Sequence, residues 1–179
     1  MAVVATTAAG CSSDHAPRAS AGRSSSPASS PASSSQTPTP GAAGAGDAYF
    51  PDLGNGGYDV VHYDLAISVP DPHQNQMSAT ATITAKASQA LSRFDLDLSG
   101  LTVGSVTVDG NAATSVAREG RELVVTPAKP IDDNTTFTTV VAYSGAPEPR
   151  STPSIPIAVG WIATGDGSFV VSEPEGAST

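Results

Sequence analysis

The feature that most constrains this chain is the strict alternation across residues 58 to 69, Tyr-Asp-Val-Val-His-Tyr-Asp-Leu-Ala-Ile-Ser-Val. Val61, Tyr63, Leu65, Ile67 and Val69 share one face, and His62, Asp64, Ala66 and Ser68 share the other. A period of two places successive side chains on opposite sides of an extended backbone. The stretch therefore predicts a strand with one side in a core and the other toward water, as in an antiparallel sheet.

The same pattern recurs along the chain. Residues 79 to 88 alternate Ala79, Ala81, Ile83, Ala85 and Ala87 with Thr80, Thr82, Thr84, Lys86 and Ser88. Between the two strands, Pro70-Asp71-Pro72 and a polar stretch over 73 to 76 stop the first and turn the chain back, which predicts an antiparallel hairpin. Phe94-Asp95-Leu96-Asp97-Leu98 predicts a strand with Phe94, Leu96 and Leu98 inward and Asp95 and Asp97 on the solvent face. Further strands are expected over 103 to 108, closed by the turn Asp109-Gly110-Asn111, and over 114 to 118 and 121 to 126, joined at Glu119-Gly120. Residues 135 to 143 place Thr135, Phe137, Thr139, Val141 and Tyr143 on one face. The Pro-rich residues 145 to 156 read as a surface loop, and 157 to 161 and 168 to 171 as short strands around Gly165-Asp166-Gly167. With no helix of normal length in the pattern, the expected class is all-β and mostly antiparallel.

Composition divides the chain into three parts. Residues 1 to 11 are small and apolar, and Ala8-Ala9-Gly10-Cys11 resembles the lipobox of bacterial lipoproteins, which implies a signal-like segment and acylation of Cys11. Anchoring to a membrane through that lipid, or secretion, would make the protein extracytoplasmic. Residues 12 to 46 are rich in Ser, Pro, Ala and Gly with almost nothing to bury, so they predict a disordered linker. Residues 47 to 179 form the β domain. Arg18 and Arg23 against Asp14 leave residues 1 to 46 near neutral, so the net negative charge lies on that domain. Eight Lys and Arg against 17 Asp and Glu lack the electrostatic footprint for phosphate backbones, which argues against nucleic acid as a partner. One cysteine excludes an intrachain disulfide.

Chemistry is sparse. Of the three histidines, His15 falls in the linker, His73 in a polar loop, and His62 on a strand face two residues before Asp64. His62 and Asp64 lack a visible third ligand and read as surface residues. Asp132-Asp133-Asn134 reads as a turn, and neither it nor Asp95 and Asp97 offers the six or more oxygens that calcium takes. No zinc-peptidase helix motif, serine nucleophile elbow or phosphate loop occurs.

Five stretches in order nevertheless resemble the N-terminal β domain of the M1 family of zinc aminopeptidases, in particular its secreted actinobacterial members. They are Gly54-Asn55-Gly56-Gly57-Tyr58-Asp59-Val60-Val61-His62-Tyr63-Asp64-Leu65, Ala79-Thr80-Ala81-Thr82-Ile83-Thr84-Ala85, Leu91-Ser92-Arg93-Phe94-Asp95-Leu96-Asp97-Leu98, Val106-Thr107-Val108-Asp109-Gly110, and Ser172-Glu173-Pro174-Glu175-Gly176-Ala177-Ser178-Thr179. The resemblance implies a saddle-like antiparallel β domain beside a thermolysin-like domain holding zinc through His-Glu-x-x-His and a distant Glu. Neither that motif nor the family's Gly-x-Met-Glu-Asn loop is in this sequence. Zinc is then expected beyond Thr179, the β domain is expected to be incomplete at its C-terminal end, and the chain is expected to be inactive alone. Glu175 falls where the family binds the ammonium of a peptide substrate, although Glu173 stands where Gln is usual. The alternative expectation is a non-catalytic, lipid-anchored β module that binds a protein or glycan.

Overall fold

A computed structural model describes residues 36–49, 54–71, 73–152 and 155–171, with backbone alone for 150–152 and 155–157. Twelve strands and no helix occur among the described residues. In chain order they are β1 (Thr39–Pro40), β2 (Tyr58–Ser68), β3 (Met77–Ala87), β4 (Leu91–Asp97), β5 (Thr102–Val108), β6 (Asn111–Ala112), β7 (Ser115–Glu119), β8 (Glu122–Thr126), β9 (Thr136–Gly145), β10 (Arg150–Thr152), β11 (Ile155–Ala163) and β12 (Ser168–Val171). They form a five-stranded sheet in the order β2-β3-β9-β5-β6, a four-stranded sheet β1-β4-β8-β7 and a three-stranded sheet β10-β11-β12. Every pairing is antiparallel except the short parallel contact of β1 with β4. The expected all-β, mostly antiparallel class is therefore what the chain adopts.

Alternation explains the core. On β3, Ala79, Ala81, Ile83, Ala85 and Ala87 are buried. β9 contributes Phe137, Thr139 and Val141 to the same side, β5 adds Val106 and Val108, and the facing sheet supplies Leu91, Phe94, Leu96, Leu123 and Val125. The small alanines leave room for rings. Phe94 of β4 and Phe137 of β9 lie 5.3 Å apart between centroids, and the ring of Tyr58 meets both edge-on at 5.8 and 6.1 Å. Such tilted and edge-to-face pairs add about 0.5–1.5 kcal/mol each beyond the area they bury. The Tyr58 hydroxyl donates to the Asp95 carbonyl at 2.6 Å, so β2 is tied at its first residue to β4 in the opposite sheet.

Turn chemistry sets the hairpins. Asp109 and Gly110 both adopt positive φ, 48° and 76°, as a two-residue primed turn requires between β5 and β6. The Asp109 carboxylate also accepts from the Thr138 amide at 2.8 Å, fixing the turn against β9. Gly57 has φ of 98°, and a Cβ there would stand 2.9 Å from Leu91 Cδ2 and 3.2 Å from Gly41 Cα. That glycine lets the chain entering β2 pass directly over β4.

Five expectations need correction. The alternation of β2 slips at a bulge between Val60 and His62, so Tyr58 and Val60 lie on the side of Tyr63, Leu65 and Ile67, while Val61 is 67% exposed. An extra residue in one strand reverses the facing of everything before it, and no local residue type announces this one. β2 is also an edge strand, and its apolar row is about half exposed rather than core. Residues 39–42, assigned by composition to the linker, pair with β4 and with Gly56. The Pro-rich stretch 145–156, expected as a loop, contains β10 and the start of β11. Finally, Asp95 is not on a solvent face: only 5% of its surface is exposed.

Burial thus predicts different outcomes for two apolar residues, one on β4 and one on β2. Phe94→Ala is expected to cost about 3–5 kcal/mol in chemical denaturation, and Val61→Ala to change stability by no more than about 0.5 kcal/mol. Comparable losses at the two positions would contradict the arrangement of the core.

Candidate functional site

The site follows from a mismatch of strand lengths. β2 and β3 each have 11 residues, whereas β4 and β8 have seven and five. At about 3.3 Å per residue the covering strands are too short for the sheet beneath them. An open apolar cleft of about 420 Å³ remains. Tyr63, Leu65 and Ile67 of β2 form one wall, and Met77, Ala81 and Ile83 of β3 with Val141 and Tyr143 of β9 form its floor. Leu96, Leu98 and Leu123 close one side, while Gly160, Trp161 and Val170 of β11 and β12 bound the other. A second cleft of about 430 Å³ shares Tyr63, Ile83, Leu96 and Asp97 with the first and adds Asn55, Tyr58 and Asp59.

Asp97 lines both clefts, and two further acidic groups lie near it on β4 and β8. Asp97 and Glu122 are register partners across β4 and β8, and Asp95 lies two residues away on β4. Like charges directly opposite one another destabilise a sheet. Asn55 Nδ2 donates to Asp97 Oδ2 at 3.3 Å, which offsets part of that repulsion. Burial is the main cause that pushes the carboxyls of Asp95, Asp97 and Glu122 above their ordinary values. For Glu122 the charges of Asp97 and Asp95 add to it, with Arg121 and Asn55 acting the other way. Arg93 opposes the shift at Asp95, and Arg121 that at Asp97. Burial likewise raises the phenols of Tyr58 and Tyr63, so both stay protonated donors at neutral pH. Asp95 Oδ1, Asp97 Oδ1, Glu122 Oε2 and Asn55 Oδ1 are buried without a hydrogen-bond partner.

An apolar cleft with a single carboxyl, Asp97, in its lining can bind, but it carries no paired nucleophile and base. Among the described residues no group of three or more His, Cys, Asp or Glu is arranged to hold a metal ion. His62 and Asp64 are exposed on the outer side of β2, and His73 Nδ1 lies 2.9 Å from the Gly165 carbonyl oxygen. Glu175 and Cys11 lie outside the described residues. Sequence reasoning missed Glu122, Asn55 and Tyr58. A charged residue opening the apolar run Glu122-Leu123-Val124-Val125 was a usable signal for the first, whereas Asn55 looked like an ordinary turn residue.

No family model and no curated protein matches the sequence. Solved structures do. A two-domain M1 zinc metallopeptidase variant bound to L-arginine is similar at 35% identity with a TM-score of 0.67, over 75% of this chain and 31% of that one. A variant from Deinococcus radiodurans bound to a Tyr-Ser-Ala substrate gives the same four figures. The M1 zinc metallopeptidase of that organism is similar at 34% identity, with a TM-score of 0.66 and the same coverage. The fold is thus the N-terminal β domain of a metallopeptidase. The chain has the fold of the N-terminal β domain of M1 zinc metallopeptidases and spans about 31% of the length of the structures it matches. The described residues do not fit the zinc centre that the family name implies.

The raised carboxyls make a prediction with a definite sign. Their ordinary values are 3.8, 3.8 and 4.5, and each is higher in the folded state, so the native protein holds more protons than the unfolded chain above that range. The associated stability is fully present below about pH 3.8 and is lost as pH rises through the folded values. The melting temperature is expected to fall as pH rises above the ordinary carboxyl values toward neutrality, and Asp95→Asn to raise it at neutral pH and flatten the slope. A melting temperature that climbs over this range in calorimetry would refute the assignment.

Proposed function

We propose that this chain supplies the N-terminal β domain of a zinc-dependent aminopeptidase that removes N-terminal residues from peptides. The observation that carries the reading is the 35% identity to M1 zinc metallopeptidases over 75% of the chain. The site favours a supporting role: the described residues offer apolar walls and buried carboxyls without the groups that would attack a peptide bond. Zinc and the general base then come from polypeptide other than the described residues. Glu175 is assigned to the substrate ammonium, since a carboxylate facing a desolvated ammonium makes a charge-assisted contact and selects a free N-terminus.

The lipobox-like Ala8-Ala9-Gly10-Cys11 supports an extracytoplasmic location, with Cys11 acylated and residues 12 to 38 as the tether. Each buried methylene of such a lipid contributes about 0.8 kcal/mol, so stable anchoring takes two or more chains.

The test uses the coding sequence and the purified protein together. The 179-residue chain is expected to leave aminoacyl arylamides intact with or without zinc. A longer product of the same gene is expected to cleave them and to encode His-Glu-x-x-His downstream. In that product Glu175→Gln is expected to raise KM by about tenfold to a hundredfold, the equivalent of losing about 1.5–3 kcal/mol from a charged hydrogen bond. Hydrolysis by the short chain, or a downstream frame without the motif, would overturn the proposal and favour a non-catalytic binding module.

A further inference from the structure

We infer that the free edge of β2 pairs antiparallel with β2 of a second copy of this chain, about a two-fold axis at Leu65. The inference does not rest on the peptidase assignment. β2 hydrogen-bonds to β3 on one side and ends the five-stranded sheet on the other, among the described residues. Natural edges are usually blunted by short length, Pro, Lys or a central bulge. β2 is 11 residues long and contains no Pro, Lys or Arg, and its bulge lies toward its N-terminal end, before His62. Residues 62–68 beyond that bulge keep a regular register with β3.

This regular segment is complementary to itself. Its midpoint is Leu65, so an antiparallel copy sets Leu65 against Leu65 and Tyr63 against Ile67 twice, all on one face. Tyr63, Leu65 and Ile67 are 53, 53 and 49% exposed and therefore available for such contacts. On the other face Asp64 meets Ala66 and His62 meets Ser68, so no like charges stand directly opposite. Centring the pair on Tyr63 instead would set Leu65 against the bulged Val61 and Ile67 against Asp59. A shift of one residue would put apolar side chains against polar ones throughout. A second copy thus supplies an edge with the right length, spacing and facing, and the same operation satisfies both chains at once.

Each copy brings a net charge of −9, so association opposes long-range repulsion and is expected to strengthen with salt. In sedimentation and light scattering the chain is expected to run at twice 17.8 kDa as concentration rises, with the dimer fraction increasing from low to physiological ionic strength. Leu65→Lys places two ammonium groups together at the axis and is expected to abolish the dimer. In a Cys11→Ser background, Leu65→Cys is expected to oxidise to a covalent dimer, because directly opposed antiparallel residues stand about 4.5–5.5 Å apart at Cα, within disulfide reach. Ala66→Cys, which would face Asp64, is expected to dimerise without forming the crosslink. Should Leu65→Lys fail to fold, the two cysteine variants still decide the register. A monomer at every concentration and ionic strength would overturn the pairing and leave the edge to a strand of a longer polypeptide. Equal crosslinking at 65 and 66 would overturn the proposed axis.

Discussion

The structure depends on one contact between sheets, the cluster of Tyr58, Phe94 and Phe137. The three rings come from β2, β4 and β9, so the cluster reaches from the five-stranded sheet into the four-stranded one. Hydrogen bonding can hold each sheet together but says nothing about how two sheets lie on each other. That orientation is set by which side chains interdigitate. Here the alanines of β3 provide the depth, the two phenylalanines fill it, and Tyr58 closes it with a hydroxyl that satisfies the Asp95 carbonyl.

Much of this was legible in the sequence because alternation is a physical consequence of strand geometry. The inward sets of β3 and β9, and Phe94 and Leu96 of β4, were readable residue by residue, as were the turns at Asp109-Gly110 and Glu119-Gly120. What could not be read depends on longer range. The bulge at Val61 is a property of pairing with β3, and the edge position of β2 is a property of strand order; neither leaves a mark in the strand's own residues. Asp95 failed for a related reason. Period two assigns a face, but only the neighbouring elements decide whether that face is wet. At the site, the five matched stretches identified the M1 domain, whereas the cleft was invisible because its walls come from segments up to about a hundred residues apart in sequence.

The acidic cluster makes sense in the same terms. Local rules would place Asp95, Asp97 and Glu122 in water, and the fold holds them under cover with several oxygens unpartnered. Departures from local preference tend to concentrate where a protein does something other than stabilise itself. These lie beside two clefts that share Asp97, so the part of the domain with the most apolar surface left open is also the part with buried acceptors left over.

A single cause connects the open cleft and the free edge. The row of Tyr63, Leu65 and Ile67 serves both as a wall of the cleft and as the apolar face of the unpaired strand. Fully burying a side chain of this size is worth roughly 1.5–3 kcal/mol, and half-exposed residues leave part of that unrealised. Backbone groups along the outer side of β2 are solvated, so adding a strand there exchanges water for ladder hydrogen bonds at modest net gain. The larger gain comes from the apolar row, because a strand laid beside β2 with matching alternation extends the sheet and narrows the cleft in one step. Whatever chain provides that strand is therefore selected chiefly by facing and length, the two properties that the uninterrupted segment of residues 62–68 defines.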